Sequence, residues 1–106
     1  MADYLLIESR DPFESNEVAY YQGLAKGLAE AGHRVTMLLV QNAVLAARPC
    51  AASTALSALA RAGVTVLADD FALRERNVTK LAEGVSATPI DVVVDHLAAG
   101  HKTMWH

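Results

Sequence analysis

Ala29-Glu30-Ala31-Gly32 runs, after two residues, into Val35-Thr36-Met37-Leu38-Leu39-Val40. Glycine accepts the left-handed backbone that ends a helix, and the apolar, partly β-branched run beyond it suits a strand. The same corner recurs where Leu59-Ala60-Arg61-Ala62-Gly63 meets Val64-Thr65-Val66-Leu67. It recurs again where Leu97-Ala98-Ala99-Gly100 meets His101-Lys102-Thr103-Met104-Trp105. Repeated helix-to-strand corners mark βαβ units, and therefore an α/β domain whose parallel sheet has a crevice at the carboxyl ends of its strands.

Working outward from these corners, Asp3 to Glu8 reads as the first strand, unbroken in apolar character from Tyr4 to Ile7 because both its faces are covered. Ser15 or Asn16 can cap the next helix, in which Val18, Tyr21, Leu24, Ala25 and Leu28 recur at helical spacing and predict a buried stripe. Gly23 and Gly27, one turn apart, predict close packing on the sheet or a subunit contact. Gln41 to Arg48 has no clear period. Ser53 reads as the cap of a helix through Ala62. After the third strand, Phe71 to Arg76 and Val78 to Glu83 read as short helical turns, and Val85 to Ala87 as a short strand. Thr88-Pro89-Ile90-Asp91 is a helix start with a capping threonine and proline at the first position. Ile90, Val93, Val94 and Leu97 predict that helix's inward side, and Lys102 to Trp105 a final strand.

Of the 106 residues, 53% are hydrophobic and 20% charged, so the chain has the material for one core and lacks the composition of a disordered segment. The net charge is −3 and no Lys/Arg cluster occurs, which argues against nucleic acid as a partner. No apolar run approaches the roughly 20 residues of a membrane helix. The acidic start Met1-Ala2-Asp3 is unlike a signal peptide, so the sequence reads as a cytoplasmic protein with no membrane partner. The loop Ser9 to Ser15 has no glycine and carries Asp11 and Glu14, which would repel phosphate. No nucleotide, and no other cofactor, is predicted. The single cysteine, Cys50, excludes an intrachain disulfide. The sequon Asn77-Val78-Thr79 carries no weight without export.

Several segments, in order and spacing, resemble the DsrE/DsrF/DsrH-like family of small sulfur-relay proteins. They are Asp11-Pro12-Phe13-Glu14-Ser15-Asn16, Ala31-Gly32-His33-Arg34-Val35-Thr36, Val40-Gln41-Asn42-Ala43-Val44-Leu45, Ala62-Gly63-Val64-Thr65-Val66, Leu81-Ala82-Glu83-Gly84-Val85 and Gly100-His101-Lys102-Thr103-Met104-Trp105. The resemblance covers nearly the whole chain as a single domain. It implies three layers with a mostly parallel five-stranded sheet between helices, related in architecture to flavodoxin. It also implies assembly into homotrimers or hexamers and a sulfur-relay protein as partner. Active members carry a sulfur-accepting cysteine just after the third strand. Aligning Arg76-Asn77-Val78 with the arginine-glycine-aliphatic segment that follows that cysteine puts Asp69 in its place, and Val66 to Phe71 contains no cysteine. The implied role is a non-catalytic binding or accessory subunit linked to sulfur metabolism.

The alternative is a persulfide carrier using Cys50, which follows Pro49 near a predicted helix amino end, where the dipole and free N–H groups stabilise a thiolate. Its plain reading is a small apolar residue packed among Ala46, Ala47, Ala51 and Ala52. Asp69 and Asp70 form an acidic pair at a strand end, expected near Glu8 and Asp11, where carboxylates bind Mg²⁺ or share a proton. More plainly, they cap the next helix or meet Arg74 and Arg76. A phosphoacceptor reading would add Lys102 but lacks an adjacent acidic pair after the first strand. Asp11, Asn42, Asp69 and Asp70 are the candidate binding residues of the crevice. His33, His96, His101 and His106 show no metal-site spacing along a helix, so no metal is predicted. Met104 and Trp105 are either core residues of the last strand or anchors of a subunit interface.

Overall fold

Leu5, Leu6 and Ile7 are all buried, which only a strand covered on both faces allows. They belong to β1 (Asp3–Glu8) of a computed structural model that describes residues 1–106. The remaining strands are β2 (Arg34–Leu39), β3 (Thr65–Asp69), β4 (Val85–Thr88) and β5 (Lys102–Trp105). They form one sheet in the order β4-β3-β2-β1-β5, every neighbouring pair parallel. The α/β class and the five-stranded sheet agree with the sequence reading. So do the corners: Gly32, Gly63 and Gly100 have φ of 93°, 102° and 75°.

Register decides which side chains share a face. Leu6, Met37, Val66 and Val85 are successive partners in one row across the sheet. That row enters a core of 19 buried residues with Tyr21 and Ala25 of α1 (Glu17–Glu30), Leu56 and Leu59 of α2 (Ser53–Arg61), and Ala72 and Leu73 of α3 (Asp70–Glu75). Leu5, Ile7, Leu38 and Val40 face the other way and form a core of only 4, covered by Val92 and Val93 of α4 (Asp91–Ala98).

The two-sided arrangement follows from chain direction. From β1 to β4 the chain steps one way along the sheet; it then returns to place β5 beyond β1. Right-handed crossovers put the returning helix on the opposite face. The step direction reverses between β1 and β5, which is where α/β sheets open their crevice.

Some local expectations change. On α4 the inward residues are Val92 and Val93, whereas Ile90, Val94 and Leu97 are 50%, 65% and 58% exposed. One helix against a sheet buries one narrow stripe, and this helix is apolar on more than one. On α1 Val18, Tyr21 and Ala25 are buried and Leu28 is half-buried, but Leu24 is exposed. Gly23 and Gly27 have nothing within 4 Å of a notional Cβ, so they do not pack on the sheet. Gln41–Ala47 is a 3-10 helix that leaves β2 through a left-handed Gln41 (φ 50°). Val78 to Glu83 is not helical: Asn77 turns the chain at φ 55°, and the Ala82 N–H donates instead to the Ala47 carbonyl at 2.8 Å. At the helix starts, Ser15 Oγ accepts from the Glu17 N–H at 3.2 Å, but Ser53 folds back onto Cys50 and Thr88 makes no cap. No helix is long and apolar enough to cross a membrane.

Candidate functional site

Asp69 ends β3 and opens α3, so its side chain is fixed by both elements. With extended backbone it places Oδ2 where the Ala72 N–H donates to it at 3.3 Å, capping the helix. The residue is 8% exposed, and its Oδ1 is buried without any hydrogen-bonding partner. Asp69 lines a crevice of about 300 Å³ with Val40 and Gln41 from the end of β2, Phe71, Ala72 and Glu75 from α3, Ile90 ahead of α4, and Trp105 of β5. Its neighbour Asp70 is absent from the lining and pairs instead with Arg74 at 3.5 Å. Of the predicted acidic pair, one member caps and the other meets an arginine, as the plain reading expected.

A second buried carboxylate lies at the end of β1. Glu8 is 1% exposed; its Oε2 accepts from the Arg10 N–H at 3.1 Å, and both its oxygens lie 2.9 Å from His106 Nδ1. Nε2 of the same ring lies 3.4 Å from Glu17 Oε2 on α1. Tyr21 stacks on His106 at 5.0 Å and donates its hydroxyl to the Met104 carbonyl at 2.9 Å. Burial, reinforced by the Glu8 charge, pushes the Tyr21 hydroxyl up to about 12. A cavity of about 500 Å³ opens beside the pair, lined by Glu17, Tyr20, Tyr21, Leu24 and His106. Glu8 and His106 are 98 positions apart, and only the placement of β5 beside β1 joins them. Sequence reading missed the pair for that reason.

The other predicted residues have separate tasks. Asp11 is buried, and its Oδ1 accepts from the Phe13 N–H at 3.1 Å while its carbonyl accepts from Glu14 and Ser15, so it shapes the first loop. Asn42 bridges two loops: Nδ2 donates to Glu14 at 3.1 Å, and Oδ1 accepts from Arg76 at 3.0 and 3.2 Å. Glu8 and Asp11 therefore do not join Asp69 in an acidic cluster, and no three His, Cys, Asp or Glu residues stand together as a metal set.

Cys50 is exposed rather than packed among alanines. It lines its own cavity of about 400 Å³ with Ser53, Ser57 and Arg61 and shares no lining residue with the Asp69 crevice. Met104 and Trp105 are 39% and 64% exposed. At the amino end of β5 His96 and His101 meet through their Nδ1 atoms at 2.8 Å, and His101 approaches Asp3 at 3.5 Å. Burial, then the neighbouring His101, lowers the His96 pKa from its ordinary value.

No protein-family model matches the chain, and no curated protein matches it in sequence. Solved structures match its fold over its length. The YchN protein from E. coli aligns over 100% of both chains with a TM-score of 0.87 at 17% identity. MTH1491 from Methanobacterium thermoautotrophicum, described as of unknown function, aligns over 100% of both chains with a TM-score of 0.87 at 18% identity. BT1422 from Bacteroides thetaiotaomicron, a conserved protein also of unknown function, covers 98% of this chain and 94% of its own, with a TM-score of 0.84 at 15% identity. The chain thus shares one complete α/β fold with these proteins, and at such identities the likeness is one of fold.

Proposed function

We propose that this chain is a DsrE-like binding or accessory subunit linked to sulfur metabolism, cytoplasmic and assembled with copies of itself, that carries no sulfur at the end of its third strand. Asp69 carries this reading. It stands where the resembling family has its sulfur-accepting cysteine, and a carboxylate cannot form a persulfide. One of its oxygens caps α3, and no cysteine lines the crevice around it. Self-association is supported by the apolar residues that α4 leaves outside, Val94 and Leu97, neither of which lines the Asp69 crevice. Light scattering tests it: Val94→Lys is expected to reduce the assembled mass, and an unchanged oligomer would remove α4 from the interface.

A second reading, sulfur transfer through Cys50, is favoured by the exposure of that thiol and by Arg61 in the same cavity. In it the Cys50 thiolate attacks the outer sulfur of a donor persulfide, and the donor leaves as its thiolate. Intact-protein mass after incubation with a persulfide donor separates the two. The accessory reading expects no retained sulfur. A gain of one sulfur, reversed by reductant and absent in Cys50→Ser, replaces it with the relay reading.

A further inference from the structure

We propose that the crevice beside Asp69 binds a small molecule joining an ammonium group to an apolar body, with the ammonium donating to Asp69 Oδ1. The inference rests on the reading of this chain as a binding protein and names the class of ligand. Asp69 is 8% exposed, and its Oδ1 has less than 1 Å² of accessible surface and no protein donor. A carboxylate oxygen in that state has lost its hydration without replacement, and such atoms are rare in folded proteins. An N–H donor from outside the chain completes it.

The rest of the lining selects the kind of donor. Glu75 adds a second acid, and no lysine, arginine or histidine lines the crevice. Of the nearby arginines, Arg74 pairs with Asp70, and Arg76 binds Asn42 and meets the lining Glu75 at 3.8 Å, which leaves Asp69 as the acid of the crevice with no cation of its own. The local field therefore favours a cation and opposes phosphate or carboxylate. Phe71 and Trp105 offer aromatic faces, and Val40 and Ile90 apolar ones, to the body attached to that cation. About 300 Å³ lies at the small end of ligand sites, room for a monoamine with one ring or a short chain. Oδ1 itself is covered, so binding requires a side chain of the lining to turn; Phe71 and Trp105, 57% and 64% exposed, are lining residues not locked in the core.

Trp105 is the only tryptophan, so its fluorescence reports on this crevice directly. The full chain is titrated at neutral pH with 2-phenylethylamine, and in parallel with 2-phenylethanol, which keeps the ring and loses the charge. The expected result is a saturable change with the amine and binding at least about tenfold weaker with the alcohol, as loss of a charge-assisted hydrogen bond implies. Asp69→Asn retains an oxygen for the Ala72 N–H and removes the charge, and it is expected to weaken the amine by a similar factor. Should that variant misfold by circular dichroism, Ile90→Lys at an exposed position sets a cation at the mouth and is expected to abolish the change. A flat titration overturns the proposal, as does equal response to amine and alcohol or undiminished binding in the folded variants. None of these outcomes bears on sulfur loading, which is read by mass on Cys50, so failure of the amine site and failure of the accessory reading are distinct.

Discussion

Two carboxylates stand at the carboxyl ends of strands in the same sheet, on either side of β2, and they are treated oppositely. Glu8 at the end of β1 is 1% exposed and has every oxygen engaged, by His106 and by the Arg10 N–H. Asp69 at the end of β3 is 8% exposed, yet one oxygen caps a helix and the other meets nothing. Burial alone does not separate them; completion does. Glu8 and His106 fasten the last strand to the first and to α1, so that pair belongs to the fold. Asp69 has an acceptor to spare in a crevice with aromatic residues in its lining, and that acceptor is the one the proposed ammonium site uses.

Each half of this contrast can be broken by measurement. Glu8→Ala strands His106 Nδ1 and the Arg10 N–H, and removing one partner of a buried pair is expected to cost about 3 kcal/mol by urea unfolding. A loss below about 1 kcal/mol would mean the pair does not fasten the strand. Tyr21 sharpens the same half. Its folded pKa, about 12, lies above the ordinary 10.0. The raised value means the folded state holds the proton more tightly, so this stability is fully present below about pH 10 and is lost as pH rises through about 12. The expected loss is about 2 kcal/mol. Tyr21→Phe should lack that alkaline segment, and an identical profile in the variant would assign it elsewhere. Asp69→Ala loses a helix cap but also deletes an unpartnered oxygen, so its cost is expected to be about 1 kcal/mol or less. A cost matching Glu8→Ala would make Asp69 a structural anchor and erase the contrast.

Glycine corners and apolar strands were legible because they are local: Gly32, Gly63 and Gly100 adopt the positive φ that the helix-to-strand reading requires. Asp69 was legible as a strand-end acid, and its capping role follows from the helix start beside it. The orphaned Oδ1 was not, since it depends on which atoms fail to surround it. Strand order was equally hidden, and with it the Glu8–His106 pair. The inward side of α4 was misassigned because Ile90, Val92, Val93, Val94 and Leu97 leave two apolar stripes to choose between. Periodicity identifies a stripe; only the partner element says which stripe is buried.

Amide chemical-shift mapping of the ¹⁵N-labelled chain with 2-phenylethylamine tests the contrast most directly, because both carboxylate sites report in one spectrum. Saturable shifts are expected at Gln41, at Asp69 to Ala72 and at the Trp105 indole, with Arg10 and Tyr21 unmoved. Shifts centred on Tyr20 and Tyr21, or none at Asp69, would contradict the contrast.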